Sequence, residues 1–296
     1  MGAGGALQPH APVVLPRPPR VSVSVGTAAP DGRTLSASIE QRTTQIVGAL
    51  RDLDDRALRA PSQLDGWSLL TIACHLRYGA EALARMTRHA LVGEPTSYYP
   101  DGRAHQRPST LVPRPGESGT DVVASLATCS HELARLWSTL SDDDWTLEGS
   151  RPGDTFESRS FSLAELALLR LTECEVHGSD LGLGLGDWSP LFVSVALPFR
   201  VALLRTRRLD QPGIPATTAG TWLLIATDGP THVVSVTQGR VQSQQCTPNR
   251  VPSTAAIEAT SRDLLALLLG RPPAGRLSFT GDVAFGHSFI HLFPGP

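Results

Sequence analysis

The run LLRLTECEVHGSDLG, Leu168 to Gly182, decides how this chain is read. Just ahead of it, Ser162 and Glu165 have the spacing of a capping box and open a helix over 163–178. On a helix, positions i and i+4 lie one above the other, so Glu173 and His177 project from one face. Arg170 joins that stripe from one turn earlier, and Asp180 joins it if the helix continues. Glu175 lies about 200° around the helix from Glu173 and cannot serve the same site. A carboxylate and an imidazole presented together suit a divalent metal when a third ligand arrives from another element. His75, in DGWSLLTIACHLRYGAEAL (65–83), is the candidate for that ligand.

Taken alone, the E-x-x-x-H spacing is a weak signal, because acidic residues and histidines fall four apart on many solvated faces. The stripe Leu166, Arg170, Glu173 and His177 strengthens it by setting a polar cluster directly below an apolar position. A lone His75 is more often a hydrogen-bonded core histidine than a ligand. GLGLGD (182–187) has the glycines of a cofactor loop, yet no strand precedes it and Trp-Ser-Pro follows. A dinucleotide site needs both a strand and a helix there. His287 and His291 sit four apart among Phe and Gly near the end, without a partner that the sequence can place.

Composition sets the outer bounds. The chain has 296 residues, 41% hydrophobic and 18% charged, enough for one large or two modest domains. A net charge of -2 lacks the basic footprint of a nucleic-acid-binding protein. No apolar stretch is long enough to span a bilayer. The first residues lack the basic and apolar regions of a secretory signal. Four cysteines, Cys74, Cys129, Cys174 and Cys246, are spread without a C-x-x-C pair. That pattern suits reduced thiols in a cytoplasmic protein, and small buried residues more than nucleophiles.

Working outward, residues 1–34 are rich in Pro, Gly, Ala and Val without periodicity and read as a disordered tail. Ile39, Ile46, Leu50 and Leu53 predict an amphipathic helix from Leu35 to about Leu58. The turn APSQLDGW follows, and Ser68 caps a helix to about His89, with Leu69, Ile72, Leu76, Ala80 and Leu83 as its core stripe. Residues 93–119 read as a long loop, and Asp121 to Leu140 as a further helix. Four helices with long connections predict an up-and-down bundle, the setting in which metal sites form between facing helices. Pro190 to Arg208 is helical, and Leu209 to Gly220 is a linker. TWLLIAT, THVVSVT and GRVQSQQ are strands, SRDLLALLLG a short helix, and RLSFTGD a last strand before a tail. The fold class is therefore α+β, with a helical metal-binding bundle over 35–208 and a small α+β domain over 209–296.

With these elements placed, LDGWSLLTIACHL (64–76) followed by RLTECEVHGSDLGLG (170–184) resembles the mycothiol-dependent maleylpyruvate isomerase family. Gly66, Trp67, His75, Leu76, Arg170, Glu173, His177, Asp180, Leu181 and Gly182 match its pattern. DLLALLLGRPP and RLSFTGD resemble the last helix and strand of its second domain. The resemblance implies a DinB-like bundle and assigns His75, Glu173 and His177 as ligands of a divalent metal, usually zinc. It places Arg271 towards the active cleft and supplies mycothiol as the thiol cofactor or cosubstrate. YYPDGRAH (98–105) resembles a loop entering the same cleft. The Pro-rich tail and residues 106–119 depart from the family.

The expectation is a mycothiol-dependent metalloenzyme that attacks an electrophilic small molecule. Arg170 orients Glu173 or neutralises an acidic substrate, and Arg271 pairs with a carboxylate across the domain interface. Thiol transfer or exchange, of the kind found in natural-product biosynthesis, stands ahead of maleylpyruvate-type isomerisation because of the departures. Two other classes stay open: a metal-dependent hydrolase with Glu175 or Asp180 as base, and a non-catalytic metal-binding module.

Overall fold

Side-chain caps fix where the long helices start. In a computed structural model describing residues 31–151, 160–206, 219–247 and 251–295, Asp31 accepts from Thr34 N and opens α1 (Gly32–Arg51). Residues 1–30 of the expected tail lie outside the described residues, while Gly32 to Thr34 form the first turn of α1. The single helix expected to Leu58 is broken, because Asp54 accepts from Ala57 N and starts a separate short α2 (Asp55–Leu58). Ser68 caps α3 (Leu69–Leu91), as the sequence predicts. The expected loop over 93–119 contains a short helix, α4 (Arg103–Thr110), which its Pro and Gly content conceals. Capping boxes open α5 (Gly119–Ser138) from Ser118 with Asp121, and α6 (Leu163–Asp180) from Ser162 with Glu165. Each such cap is worth about 1 kcal/mol.

Helices α1, α3, α5 and α6 form the bundle. Helix α1 packs between α5 and α6, and α3 does the same on the opposite side. Thus α1 and α3 stand on one diagonal, whereas a simple up-and-down order would set them side by side. The core stripe of α3 is fully buried: Leu69, Ile72, Leu76, Ala80 and Leu83. The turn between α2 and α3 reverses at Gly66, whose φ of 78° lies in the left-handed region that favours glycine. Backbone bonds from Ser62 N to Trp67 O and from Gln63 N to Asp180 O tie this turn to the end of α6.

Helix α7 (Pro190–Leu203), with Pro190 in its first turn, packs against α6 and also against the second half of the chain. There, β1 (Gly220–Ala226), β2 (Thr231–Thr237), β3 (Arg240–Cys246), β4 (Ala255–Ala259) and β5 (Ser278–Gly281) form one sheet of order β3-β2-β1-β4-β5. Strands β1 and β4 run parallel and the other neighbours antiparallel. Helix α8 (Ser261–Leu268) lies against α7, β1 and β4. The expected tail after the last strand is instead α9 (Val283–Leu292), capped by Asp282. Its Phe285 stacks on Trp222 at 4.1 Å, and Trp222 Nε1 donates to Phe285 O. One continuous buried cluster runs from Leu35 and Ile46 in the bundle to Trp222, Ile257 and Phe289 beside the sheet. Among the described residues no helix is long and apolar enough to cross a membrane.

Candidate metal centre

Adjacent helices α3 and α6 present the three candidate ligands to one cavity of about 330 Å³. His75 flanks the buried stripe of α3, and Glu173 and His177 share the facing side of α6. Glu173 Oε2 lies 2.7 Å from His75 Nε2 and 3.3 Å from His177 Nε2. One donor atom from each residue falls within 4.8 Å of the other two. Donor atoms of a tetrahedral site with bonds of roughly 2 Å stand about 3.3 Å apart, close to the two separations from Glu173. Two imidazoles and one carboxylate also leave a coordination position open, and the Glu173 side chain keeps 40% of its surface exposed. These residues therefore fit a divalent cation, with zinc chemistry suited to the N,N,O donor set.

Supporting contacts orient His177. Helix α6 continues to Asp180, whose carboxylate accepts from His177 Nδ1 at 2.9 Å. That bond leaves Nε2 facing Glu173. Arg271, in the loop after α8, grips both oxygens of Asp180 at 2.8 and 2.7 Å. The chain from Glu173 through His177 and Asp180 to Arg271 thus joins the bundle to the second half of the protein. Trp67 stacks on His177 at 5.5 Å and meets His75 edge-on at 5.3 Å, which excludes water from that side of both rings. The Arg107 guanidinium lies 5.7 Å from the Trp67 ring centre.

The charge states follow from these contacts. Burial pushes the His177 imidazole down, but the Asp180 and Glu173 carboxylates outweigh it and raise the pKa to about 9. Burial raises Glu173, and the bonds from His177 and His75 overcome it, holding the carboxyl well below its usual range. For His75 burial wins and the pKa is lowered.

Arg170, predicted on the same stripe, also lines the cavity. It is only 2% exposed, and among the described residues none of its three guanidinium nitrogens has a hydrogen-bond partner. Glu175 lies on the opposite face, 3.1 Å from Arg42 Nε, and accepts from the Ser189 hydroxyl. It is unavailable as a base in the cavity. All four cysteines are free, and burial raises the thiol pKa of each, Cys74 and Cys129 to about 11. The GLGLGD segment leads from α6 towards α7, where Leu185 O accepts from Arg42 and Gly186 O from Arg262. His287 stacks on Phe279 away from the cavity.

Sequence reasoning did not anticipate the Asp180–Arg271 pair or the cavity-lining roles of Tyr98, Tyr99, Arg103 and Arg107. The YYPDGRAH motif marked that segment without assigning its residues. The pairing of Arg271 with a carboxylate was legible, but the carboxylate is the protein's own.

Comparison with known proteins fits this geometry. Residues 39–182 match the mycothiol maleylpyruvate isomerase N-terminal domain family. The fold is similar to a crystal structure of the mycothiol-dependent maleylpyruvate isomerase, at TM-score 0.60 and 16% identity, covering 84% of this chain and 91% of that one. A histidine-to-alanine mutant of that enzyme gives the same figures. At that identity the likeness speaks for the fold. No curated protein sequence matches the chain.

Proposed function

Residues 39–182 being a domain of the mycothiol maleylpyruvate isomerase family, we propose that this protein is a mycothiol-dependent metalloenzyme acting on a small electrophile. The observation that carries this reading is the convergence of His75, Glu173 and His177 on one cavity within that domain. A divalent cation held there would lower the pKa of a thiol, ordinarily roughly 8.5, so that its sulfur is deprotonated at neutral pH. The protein's own thiols are held up by burial, which favours a thiol brought from outside.

The side chains divide the remaining work. Asp180 fixes the His177 ring, and Arg271 fixes Asp180. Trp67 shields both imidazoles from water. Leu83, Leu166 and Leu169 give the cavity an apolar wall suited to the carbon frame of a small substrate. Arg107, which lines the cavity with Tyr98, Tyr99 and Arg103, lies in the segment 106–119 that departs from the family pattern. For that reason thiol transfer to a specialised small molecule is proposed ahead of maleylpyruvate isomerisation. In both reactions the thiol adds to an electrophilic carbon; in isomerisation it leaves again after bond rotation. The two candidate bases of a hydrolase are engaged elsewhere: Glu175 is held by Arg42, and Asp180 by His177 and Arg271.

The test compares wild type with His75→Ala for bound metal and for turnover with mycothiol, with cysteine and without thiol. The proposal expects one metal per chain, lost in the variant, and turnover that requires mycothiol. Unchanged metal content in His75→Ala would overturn the ligand set. Turnover without thiol would replace mycothiol chemistry with hydrolysis, and ordinary enzyme rates on maleylpyruvate would favour isomerisation over transfer.

A further inference from the structure

Three tyrosines pack together beside the cavity. Tyr98 meets Tyr99 at 4.9 Å and Tyr78 at 5.5 Å, and Tyr78 lies face to face with Tyr99 at 5.3 Å. Their hydroxyls differ in what they bind. Tyr78, from α3, donates to Tyr98 O at 2.8 Å, and Tyr99 meets the Thr110 hydroxyl. Tyr98 lines the cavity, and among the described residues its own hydroxyl has no hydrogen-bond partner. Such a phenol is a donor at neutral pH, since its ordinary pKa is about 10.

The rest of this tyrosine is held in place. Tyr98 O accepts a second bond from Arg85 Nη2 at 3.0 Å, so two side chains of α3 clamp its backbone. Gly79, in the interior of α3, lets the ring reach in. A Cβ there would stand 3.1 Å from the Tyr98 hydroxyl and 2.7 Å from Arg170 Nη1. Glycine in a helix interior costs about 1 kcal/mol relative to alanine, and here its missing side chain leaves room for hydroxyl and guanidinium to converge. Gly79 lies one turn along α3 from His75, and Arg170 one turn along α6 from Glu173, which sets the hydroxyl beside the candidate ligands. The Arg170 nitrogens are enclosed and, among the described residues, have no hydrogen-bond partner. Arg170 therefore acts on the cavity through its field. A fixed positive charge behind a fixed donor favours negative charge on an atom in front of them.

We infer that the Tyr98 hydroxyl is a catalytic donor, bonding the oxygen of the electrophile on which negative charge collects as the thiol adds. The electrophile then has its reacting carbon conjugated to a carbonyl. A sulfur electron pair forms the new S–C bond, the C=C pair moves into conjugation, and the carbonyl pair moves onto the oxygen. Tyr98 keeps its proton throughout. In isomerisation the same flow reverses and the sulfur leaves. In transfer the enolate carbon takes a proton from water and the sulfur stays. This inference rests on the cavity being the substrate site of the proposed enzyme, though not on the identity of the thiol.

The experiment uses the full chain stripped of metal by chelation, without thiol, so that neither metal nor mycothiol enters the result. The probe is 4-nitrophenolate, a delocalised oxyanion of the enolate kind, and 4-nitroanisole is its neutral counterpart. Each is titrated calorimetrically into wild type and Tyr98→Phe above the pKa of the probe. The visible band of the bound phenolate and the melting temperature of each protein are also recorded. The expected result is that wild type binds the phenolate and shifts its band to shorter wavelength. Tyr98→Phe binds it at least about tenfold more weakly and loses the shift, while 4-nitroanisole does not distinguish the two proteins. Equal phenolate affinity in both proteins, an unshifted band in wild type, an equal loss for 4-nitroanisole, or no phenolate binding by wild type overturns the assignment. A lowered melting temperature in Tyr98→Phe with phenolate affinity intact gives the tyrosine a structural role and equally overturns it. Failure of mycothiol to bind a metal-loaded protein would count against the proposed function while leaving this binding comparison in force.

Discussion

On one face of α6, Glu173 meets two imidazoles at an open cavity; on the other, Glu175 meets Arg42 in the packed seam with α1. Both faces also hold a buried arginine running past a helical glycine, Arg170 beside Gly79 and Arg42 beside Gly178. Arg42 is partnered from within: its Nε stands 3.1 Å from Glu175 Oε2 as an ion pair, and its Nη atoms donate to Gln45 Oε1, Glu175 O and Leu185 O. Among the described residues Arg170 has no hydrogen-bond partner. Similar residues at similar depth thus separate by their partners. The fold completes the charges it needs for its own assembly and leaves incomplete those that face the cavity.

The largest effect should come from breaking the completed pair. Arg42→Met strands the buried Glu175 carboxylate, and the expected cost is roughly 3–5 kcal/mol, read from urea unfolding. Metal bound per folded molecule should stay unchanged; a stable variant would mean that the two faces are not as different as their contacts indicate.

Two buried histidines sharpen the same contrast. His232, on β2, is 1% exposed with Nε2 unpartnered among the described residues, and burial alone lowers its pKa to about 4. The unfolded chain therefore takes up a proton near pH 6.5 while the folded protein does not, so stability is present above pH 6.5 and is lost as pH falls towards 4. The loss amounts to roughly 3 kcal/mol. It should be missing from His232→Phe when acid unfolding of the two proteins is compared. His177 has the opposite sign. Its raised pKa contributes stability to the metal-free protein below pH 6.5 that disappears as pH rises through about 9. Metal must displace that proton, so zinc affinity measured by competition should rise about tenfold per unit as pH climbs towards 9. A flat profile would contradict the Asp180 and Glu173 contacts as the cause.

Asp180→Asn tests the link from the cavity to the second half of the chain. Loss of a carboxylate behind a candidate ligand typically lowers metal affinity about 10–100-fold, and Arg271 loses its partner at the same time. Equal zinc affinity would detach Arg271 from the site. The smallest effect belongs to Ser162→Ala, which removes the cap of the helix carrying both faces. Stability should fall by about 1 kcal/mol in thermal unfolding, with zinc affinity preserved because Glu173 and His177 lie turns away from the frayed end.

Much of this arrangement is legible in the sequence where local chemistry and periodicity agree. Ser68 and the Ser162–Glu165 box mark the starts of α3 and α6, and helical spacing alone places Glu173 and His177 together while turning Glu175 away. What escapes depends on tertiary context. Strand β4, Ala-Ala-Ile-Glu-Ala, has little intrinsic β propensity and is held by β1 and β5 on either side. Helix α9 reads as a tail until Phe285 and Phe289 find Trp222. Helix α4 hides in a segment of Pro and Gly. No spacing rule joins Asp180 to Arg271 across 91 positions, and no pattern distinguishes an arginine that is bonded from one that is not.

The most direct test of the central claim, that the cavity face of α6 forms an open metal site for an external thiol, is a mycothiol titration of the cobalt-substituted protein. The near-ultraviolet sulfur-to-cobalt charge-transfer band is followed, with Glu173→Gln as the comparison. A saturating band with mycothiol, little response to cysteine, and loss of cobalt or of the band in Glu173→Gln is the predicted result. No band in protein shown to hold cobalt, or an undiminished band in the variant, would contradict it.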